Sequence, residues 1–196
     1  MPEFVVLVNE RDEVVDFEEK LKAHRDGMLH RALSVFIFNS SGESLLQKRA
    51  WRKYHSGGMW SNACCSHPKP AEPIKAAAHR RLREEMGFDC DLHELFSFIY
   101  RIELDGGLIE YELDHVMVGR FDGEPKPNAE EVEDWKWVLS DELSNRMAEH
   151  PDQYTYWFSL AFDQVYKLFT SRQLSSSLEP SPPGLPVWDV GLMCLG

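Results

Sequence analysis

One stretch, Glu72 to Met86, carries helix signals at both ends while the chain around it is patterned for strands. That alternation restricts the fold more than any other feature. Pro73 falls in the first turn, where a missing backbone N–H goes unnoticed, alanines fill the middle, and Gly87 supplies the stop. Upstream, Phe4-Val5-Val6-Leu7-Val8 is patterned as a strand and Asn9 to Asp12 as a turn. Arg31 to Phe38 is a second strand, and Asn39-Ser40-Ser41-Gly42 turns it into a hairpin with Ser44 to Lys48. Downstream, two long strands near Leu95 to Leu104 and Leu108 to Phe121 flank Asp105-Gly106-Gly107, and Glu133 to Leu139 adds another. Ser140-Asp141 opens a short helix. Gln153 to Phe169 is amphipathic, with Trp157, Leu160, Ala161, Val165 and Leu168 on one face. These elements predict an α+β fold, an α/β/α sandwich around a mixed, largely antiparallel sheet.

The 196 residues suit one domain with a sizeable core, expected over residues 1–171. From Arg172 the composition changes: Ser175-Ser176-Ser177 and Pro180-Ser181-Pro182-Pro183-Gly184 predict a flexible Ser/Pro-rich tail over 172–196. A net charge of -12 argues against a broad nucleic-acid surface, although local basic residues or metal ions still permit a small anionic ligand. No apolar run approaches the roughly 20 residues of a membrane-spanning helix, so no membrane insertion is expected. Glu3 stands where an export signal is basic, and four cysteines, two of them adjacent, do not resemble a disulfide framework. The expected compartment is a reducing cytoplasm. Oligomeric state is left open.

Three local patterns carry chemistry. Trp60-Ser61-Asn62-Ala63-Cys64-Cys65-Ser66-His67-Pro68 places a thiol and an imidazole two residues apart. In an extended segment Cys65 and His67 share a face; the bland alternative is a buried cysteine and a capping histidine. Glu110-Tyr111-Glu112-Leu113-Asp114 sets three carboxylates on one strand face, which is either solvated or neutralised by a cation. His24, His30 and His67 could bring nitrogen donors to the same ion as Glu110 and Glu112. Three imidazoles and two carboxylates suit zinc, manganese or magnesium, and the ligand types do not choose among them.

The third pattern is Glu72 followed by Arg80-Arg81-Leu82-Arg83-Glu84-Glu85-Met86-Gly87-Phe88. It resembles the Nudix box, whose glutamates hold divalent metal against a diphosphate. Ser66 stands where the box has its first glycine, and Arg81 where it has a helix glutamate. Arg81 and Glu85, four residues apart, share a helix face and would suit a diphosphate and its magnesium ion. Without the box spacing they would be a surface salt bridge.

Together these residues resemble the type I isopentenyl-diphosphate isomerases, a Nudix-fold family, from about Val5 to Phe169. The resemblance is carried by His24, Leu29-His30-Arg31-Ala32, the Trp60 to Pro68 segment, Tyr100-Arg101, Glu110-x-Glu112 and Tyr154-Thr155-Tyr156-Trp157, in that order. Cys64 doubles the cysteine, and Gly57-Gly58-Met59 replaces a proline- and tryptophan-containing approach. The resemblance implies a 1,3-allylic proton shift interconverting isopentenyl and dimethylallyl diphosphate. It implies Glu112 with Tyr100 as the protonating side, Cys65 as a thiolate opposite, helped by His67 and nearby cations, and Trp157 facing a carbocation. Lys20, Arg49, Lys53, Ser66 and Arg81 would bind the diphosphate. Glu85 would hold a magnesium ion that arrives with substrate, and His24, His30, His67, Glu110 and Glu112 a resident divalent metal. Two rivals remain at this point: a Nudix-type diphosphate hydrolase using Glu84 and Glu85, and a non-catalytic ligand sensor.

Overall fold

A computed structural model describes residues 2–174 and 187–189. In chain order the elements are β1 (Phe4–Val8), β2 (Val14–Glu19), α1 (Lys20–Asp26), β3 (His30–Phe38), β4 (Glu43–Arg49), β5 (Trp60–Asn62), β6 (Cys64–Ser66), α2 (Ile74–Met86), β7 (Leu92–Glu103), β8 (Ile109–Arg120), β9 (Val132–Leu139), α3 (Ser140–Glu149), α4 (Tyr156–Leu174) and β10 (Val187–Asp189).

Strand β3 organises the sheet. It pairs in parallel with β8 from His30↔Glu112 to Phe38↔Arg120, while its other edge meets β1, β6 and β4 in turn. The main path runs β10-β7-β8-β3-β1-β2. All but one of the β3 residues are buried, as expected of a strand covered on both faces. One face sends Phe36 and Phe38, with Phe96, Phe98 and Val116, against Trp157, Phe158, Phe162 and Val165 of α4. The other sends Leu33, Val35 and Ile37, with Cys64 and Met117, against Ala77, Ala78, Leu82 and Met86 of α2. This is the α/β/α sandwich that the sequence predicts. Successive residues point to opposite faces, so Cys64 is spent in the α2-side core and Cys65 is delivered to the α4 side.

Several boundaries differ from the sequence expectation. Helix α2 starts at Ile74, with Pro73 as its cap rather than in its first turn, and Glu72 instead receives two 2.7 Å hydrogen bonds from Arg80. Gly87 ends the helix at φ 73°, where any Cβ would collide with the Lys126 carbonyl. The β3–β4 hairpin is reduced to one register pair, Phe38↔Ser44, because β4 swings away to pair with β9 along its whole length. The last helix begins at Tyr156, after a 3-10 turn at Pro151–Gln153, and continues to Leu174. Within the expected tail, Val187–Asp189 pairs in parallel with β7; the Ser/Pro-rich segments, Leu192 and Cys194 lie outside the described residues. Among the described residues no helix is long and apolar enough to cross a membrane.

Candidate active site

The site lies on the α4 side of the sheet, where register brings distant residues together. His30 is opposite Glu112 across β3 and β8, Tyr100 is opposite Glu112 across β7 and β8, and Cys65 is opposite Ser34 across β6 and β3. Strands β6 and β8 flank β3 from opposite edges. Cys65 and Glu112 therefore approach one chamber from opposite sides, four residues apart along β3, roughly 13 Å of backbone at 3.3 Å per residue. The chamber has a volume of about 50 Å³ and is lined by Ser34, Arg49, Tyr54, His55, Cys65, Ser66, His67, Tyr100, Glu110, Glu112 and Trp157, with Lys20, Lys53 and Arg81 at its rim. A wider vestibule of about 530 Å³ shares that rim and adds Arg52, Lys69 and Arg80. All five residues nominated for diphosphate binding, Lys20, Arg49, Lys53, Ser66 and Arg81, thus line the chamber.

The acidic row of β8 is not solvated. Glu110, Glu112 and Asp114 are 3%, 6% and 1% exposed. The Tyr100 hydroxyl lies between the first two, donating to Glu112 at 2.6 Å and reaching Glu110 at 3.0 Å. Burial opposes charge on Glu112, yet the imidazoles of His30 and His67 hold its carboxyl well below the usual range. Burial and the neighbouring Glu112 charge drive Glu110 well above that range, and the same two causes push Asp114 up to about 7. The two neighbouring carboxylates thus differ in proton affinity: His30 and His67 favour the charge on Glu112, whereas burial and that charge oppose one on Glu110.

Two of the histidines are anchored to the backbone through one ring nitrogen. His24 Nδ1 donates to the Lys20 carbonyl at 2.7 Å and His30 Nδ1 to the Met28 carbonyl at 2.8 Å, which fixes the tautomer and leaves each Nε2 lone pair facing the cluster. Burial lowers His24 to about 4 and His67 to about 3. Donor atoms of His24, His30, His67 and Glu112 all lie within 4.8 Å of one another. His30 Nε2 is buried and has no hydrogen-bond partner. Such an orphaned nitrogen among converging donors fits a divalent cation. Four of the five expected ligands therefore form one group. Glu110, the fifth, turns toward His55 Nε2 at 3.0 Å, in a second group with His24.

The opposite wall is built around the Cys65 sulfur. The thiol donates to Asn62 Oδ1 at 2.9 Å, and Trp157 Nε1–H donates to the sulfur at 2.9 Å. Ser61 Oγ is 3.5 Å away and is itself bonded to Thr155 Oγ1 at 2.8 Å. Thr155 N donates to the Trp60 carbonyl, tying the start of α4 to β5 and setting Trp157 in place. Arg49 stacks 5.2 Å from the Trp157 ring centroid. Burial pushes the Cys65 thiol up to about 12, against the expected thiolate, while the Ser61 hydrogen bond and the Arg49 charge work in the thiolate's favour.

Placement of the remaining residues is uneven. Lys20 pairs with Glu3 at 3.1 Å, and Lys53 and Arg81 both pair with Glu131. Glu85 does not reach the chamber. It is 1% exposed, with one oxygen held by Arg81 at 2.7 Å and the other by Gln47 at 3.0 Å. Sequence reasoning missed Tyr54 and His55, both chamber residues from the segment between β4 and β5. Tyr54 Oη lies 3.3 Å from His24 Nε2. A tyrosine and histidine beside the Gly57-Gly58 pair were the one signal available.

The model of the NUDIX domain matches residues 28–158. Isopentenyl-diphosphate Delta-isomerase 2 of Aromatoleum aromaticum is 51% identical over 165 residues, covering 84% of this chain and 87% of the relative. Isopentenyl-diphosphate Delta-isomerase of Pectobacterium atrosepticum is 50% identical over 172 residues, covering 86% and 96%. Among solved structures, DR0079 from Deinococcus radiodurans superposes with a TM-score of 0.70 at 22% identity, covering 83% of this chain and 98% of that one, a likeness of fold. About half of the aligned residues are shared with proteins of one name over most of both chains. The chain therefore belongs to the isopentenyl-diphosphate Delta-isomerase family of NUDIX-fold proteins.

Proposed function

We propose that this protein interconverts isopentenyl and dimethylallyl diphosphate by a 1,3-allylic proton shift through a tertiary carbocation. The observation that carries the reading is the opposition of Cys65 to the Tyr100–Glu112 pair across one chamber. An unactivated alkene is a weak base, and its protonation leaves a cation without a lone pair beside it. The reaction therefore needs a proton donor on one face of the double bond, an acceptor on the other, and little water.

We assign donation to the Tyr100 hydroxyl with Glu112, and removal of the allylic proton to Cys65. To accept the allylic proton the sulfur has to be a thiolate, whose charge the Trp157 and Ser61 donors stabilise; taking up that proton restores the thiol bonded to Asn62 Oδ1, and exchange with solvent resets both walls. The Trp157 ring can also face the carbocation, worth about 2 kcal/mol once desolvated. The chamber is smaller than the roughly 150 Å³ cavity that admits benzene, so a five-carbon chain enters only as lining side chains move outward.

His24, His30, His67, Glu110 and Glu112 would hold the resident divalent cation. When bound, that ion supplies positive charge that strengthens the acidity of groups hydrogen-bonded to Glu112. Lys20, Arg49, Lys53, Ser66 and Arg81 neutralise the diphosphate. We assign Glu85 to a magnesium ion arriving with substrate, which requires Arg81 to exchange Glu85 for phosphate. The free thiols of Cys64, Cys65 and Cys90 support a reducing cytoplasm. A hydrolase gains nothing from Cys65, and Arg81 removes a carboxylate that water activation needs.

The test is incubation with isopentenyl diphosphate and magnesium in deuterated water, followed by NMR. Labelled dimethylallyl diphosphate is expected from the wild type and none from Cys65→Ala or Glu112→Gln, both remaining folded. Phosphate release without allylic product, or normal turnover by either variant, would remove this reading.

A further inference from the structure

His55 is the chamber imidazole that has no place in the ligand set named above. It lies between β4 and β5, with Nδ1 3.2 Å from Ser56 Oγ and its carbonyl accepting from Arg49 Nη2 at 3.3 Å. Its side chain is 5% exposed, and Nε2 points into the chamber 3.0 Å from Glu110 Oε1 without hydrogen-bond geometry. Donor atoms of His24, His55 and Glu110 lie within 4.8 Å of one another, as do those of His24, His30, His67 and Glu112, so the two sets meet at His24. A buried ring with one nitrogen occupied and the other unpartnered beside a carboxylate is arranged as a metal ligand rather than as packing.

We propose that His55 is a ligand of the divalent cation, joining it through the shared His24 and the Glu110 carboxylate. His55 and Glu110 fall outside the group formed by His30, His67 and Glu112, so they close on the ion as it loads; the shell then contains four imidazoles and two carboxylates. Four nitrogen donors select against magnesium, which prefers oxygen and holds its water, and favour zinc or cobalt. The inference rests on the reading that a cation occupies the histidine–glutamate cluster. It adds that the segment bearing Lys53, Tyr54 and His55 is pinned to the site when the ion is present.

The test uses the full chain stripped of metal, titrated with Co2+ and, in competition with a chromophoric chelator, with Zn2+. His55→Ala is expected to lower Zn2+ affinity by at least about 10-fold and to change the visible spectrum of the Co2+ form. Weaker binding with an unchanged Co2+ spectrum would make His55 a hydrogen-bonding support for Glu110 and overturn the proposal, as would unchanged affinity. If His55→Ala does not fold, a long-range 1H–15N spectrum of the zinc-loaded wild type decides. The His55 Nε2 resonance moves on loading if it is a ligand and stays if it is not. A wild-type chain that binds no divalent cation removes the whole cation site, whereas cation binding that ignores His55 leaves the isomerase reading intact.

Discussion

The indole N–H of Trp157 donates to the Cys65 sulfur at 2.9 Å, joining the last helix to the wall from which the allylic proton is removed. The bond stabilises negative charge on sulfur more than it stabilises the neutral thiol, so it matters most during proton transfer. Trp157→Phe keeps an aromatic ring in the core and removes the donor. Steady-state kinetics should show kcat reduced about 10- to 100-fold with KM nearly unchanged. Denaturant unfolding should lose only about 1 kcal/mol. An unchanged kcat would deny the sulfur its partner's role.

On the opposite wall, the Tyr100 hydroxyl separates two buried carboxylates, at 2.6 Å from Glu112 and 3.0 Å from Glu110. Tyr100→Phe removes the proposed proton donor and leaves those carboxylates facing each other without a bridge. The expected result is a fall in kcat of about 100- to 10,000-fold, with a folded chain less stable by about 1–3 kcal/mol. Deuterium incorporation from solvent should fall in parallel. Product forming at the wild-type rate would move the acid role elsewhere.

Much of this site was legible because its chemistry sits at fixed short spacings. Cys65 and His67, and Glu110 and Glu112, needed only strand alternation to share a chamber. His30 reached Glu112 through a parallel pairing between residues 82 apart, which no local pattern encodes. His55 stayed hidden because one histidine in an irregular segment has no periodicity to mark it. Helical spacing placed Glu85 beside Arg81, but it could not reveal that Gln47 of β4 takes the other carboxylate oxygen. The thiol state of Cys65 depends on burial, a tertiary property. Strand β2 and helix α1 escaped for a different reason: β2 is a largely exposed edge strand, and seven residues are too few for helix propensity to declare itself.

On the α2 side of the sheet, His115 meets Glu94 at 2.7 Å and Asp12 at 3.2 Å, with Arg31 also on Asp12 and Asp114 next in sequence. Burial works against its charge, but the hydrogen bonds and charges of Asp12 and Glu94 prevail and raise it to about 9. A raised folded value means that the stabilisation is complete below about pH 6.5 and is lost as pH climbs through 9. After discounting for water around the half-exposed acids, it amounts to about 1–2 kcal/mol. Unfolding free energies from urea titrations between pH 6 and 9.5 should decline by that amount in the wild type relative to His115→Gln. Parallel profiles for the two proteins would show that His115 carries no such charge.

At the vestibule, Glu131 pairs with both Lys53 and Arg81, two of the cations assigned to the diphosphate. The carboxylate keeps them positioned in the free protein and competes with substrate for them. Lys53→Met removes a charge that contacts the non-reacting end of the substrate, so KM should rise about 10-fold while kcat stays within about twofold. Glu131→Gln removes the competitor, so its KM should fall at low salt and converge on the wild-type value as salt screens the freed cations. Opposite shifts in KM from these two substitutions are specific to an anion seated at this rim. If both variants changed kcat alone, Lys53 and Arg81 would be acting on the shape of the chamber and the diphosphate would lie elsewhere.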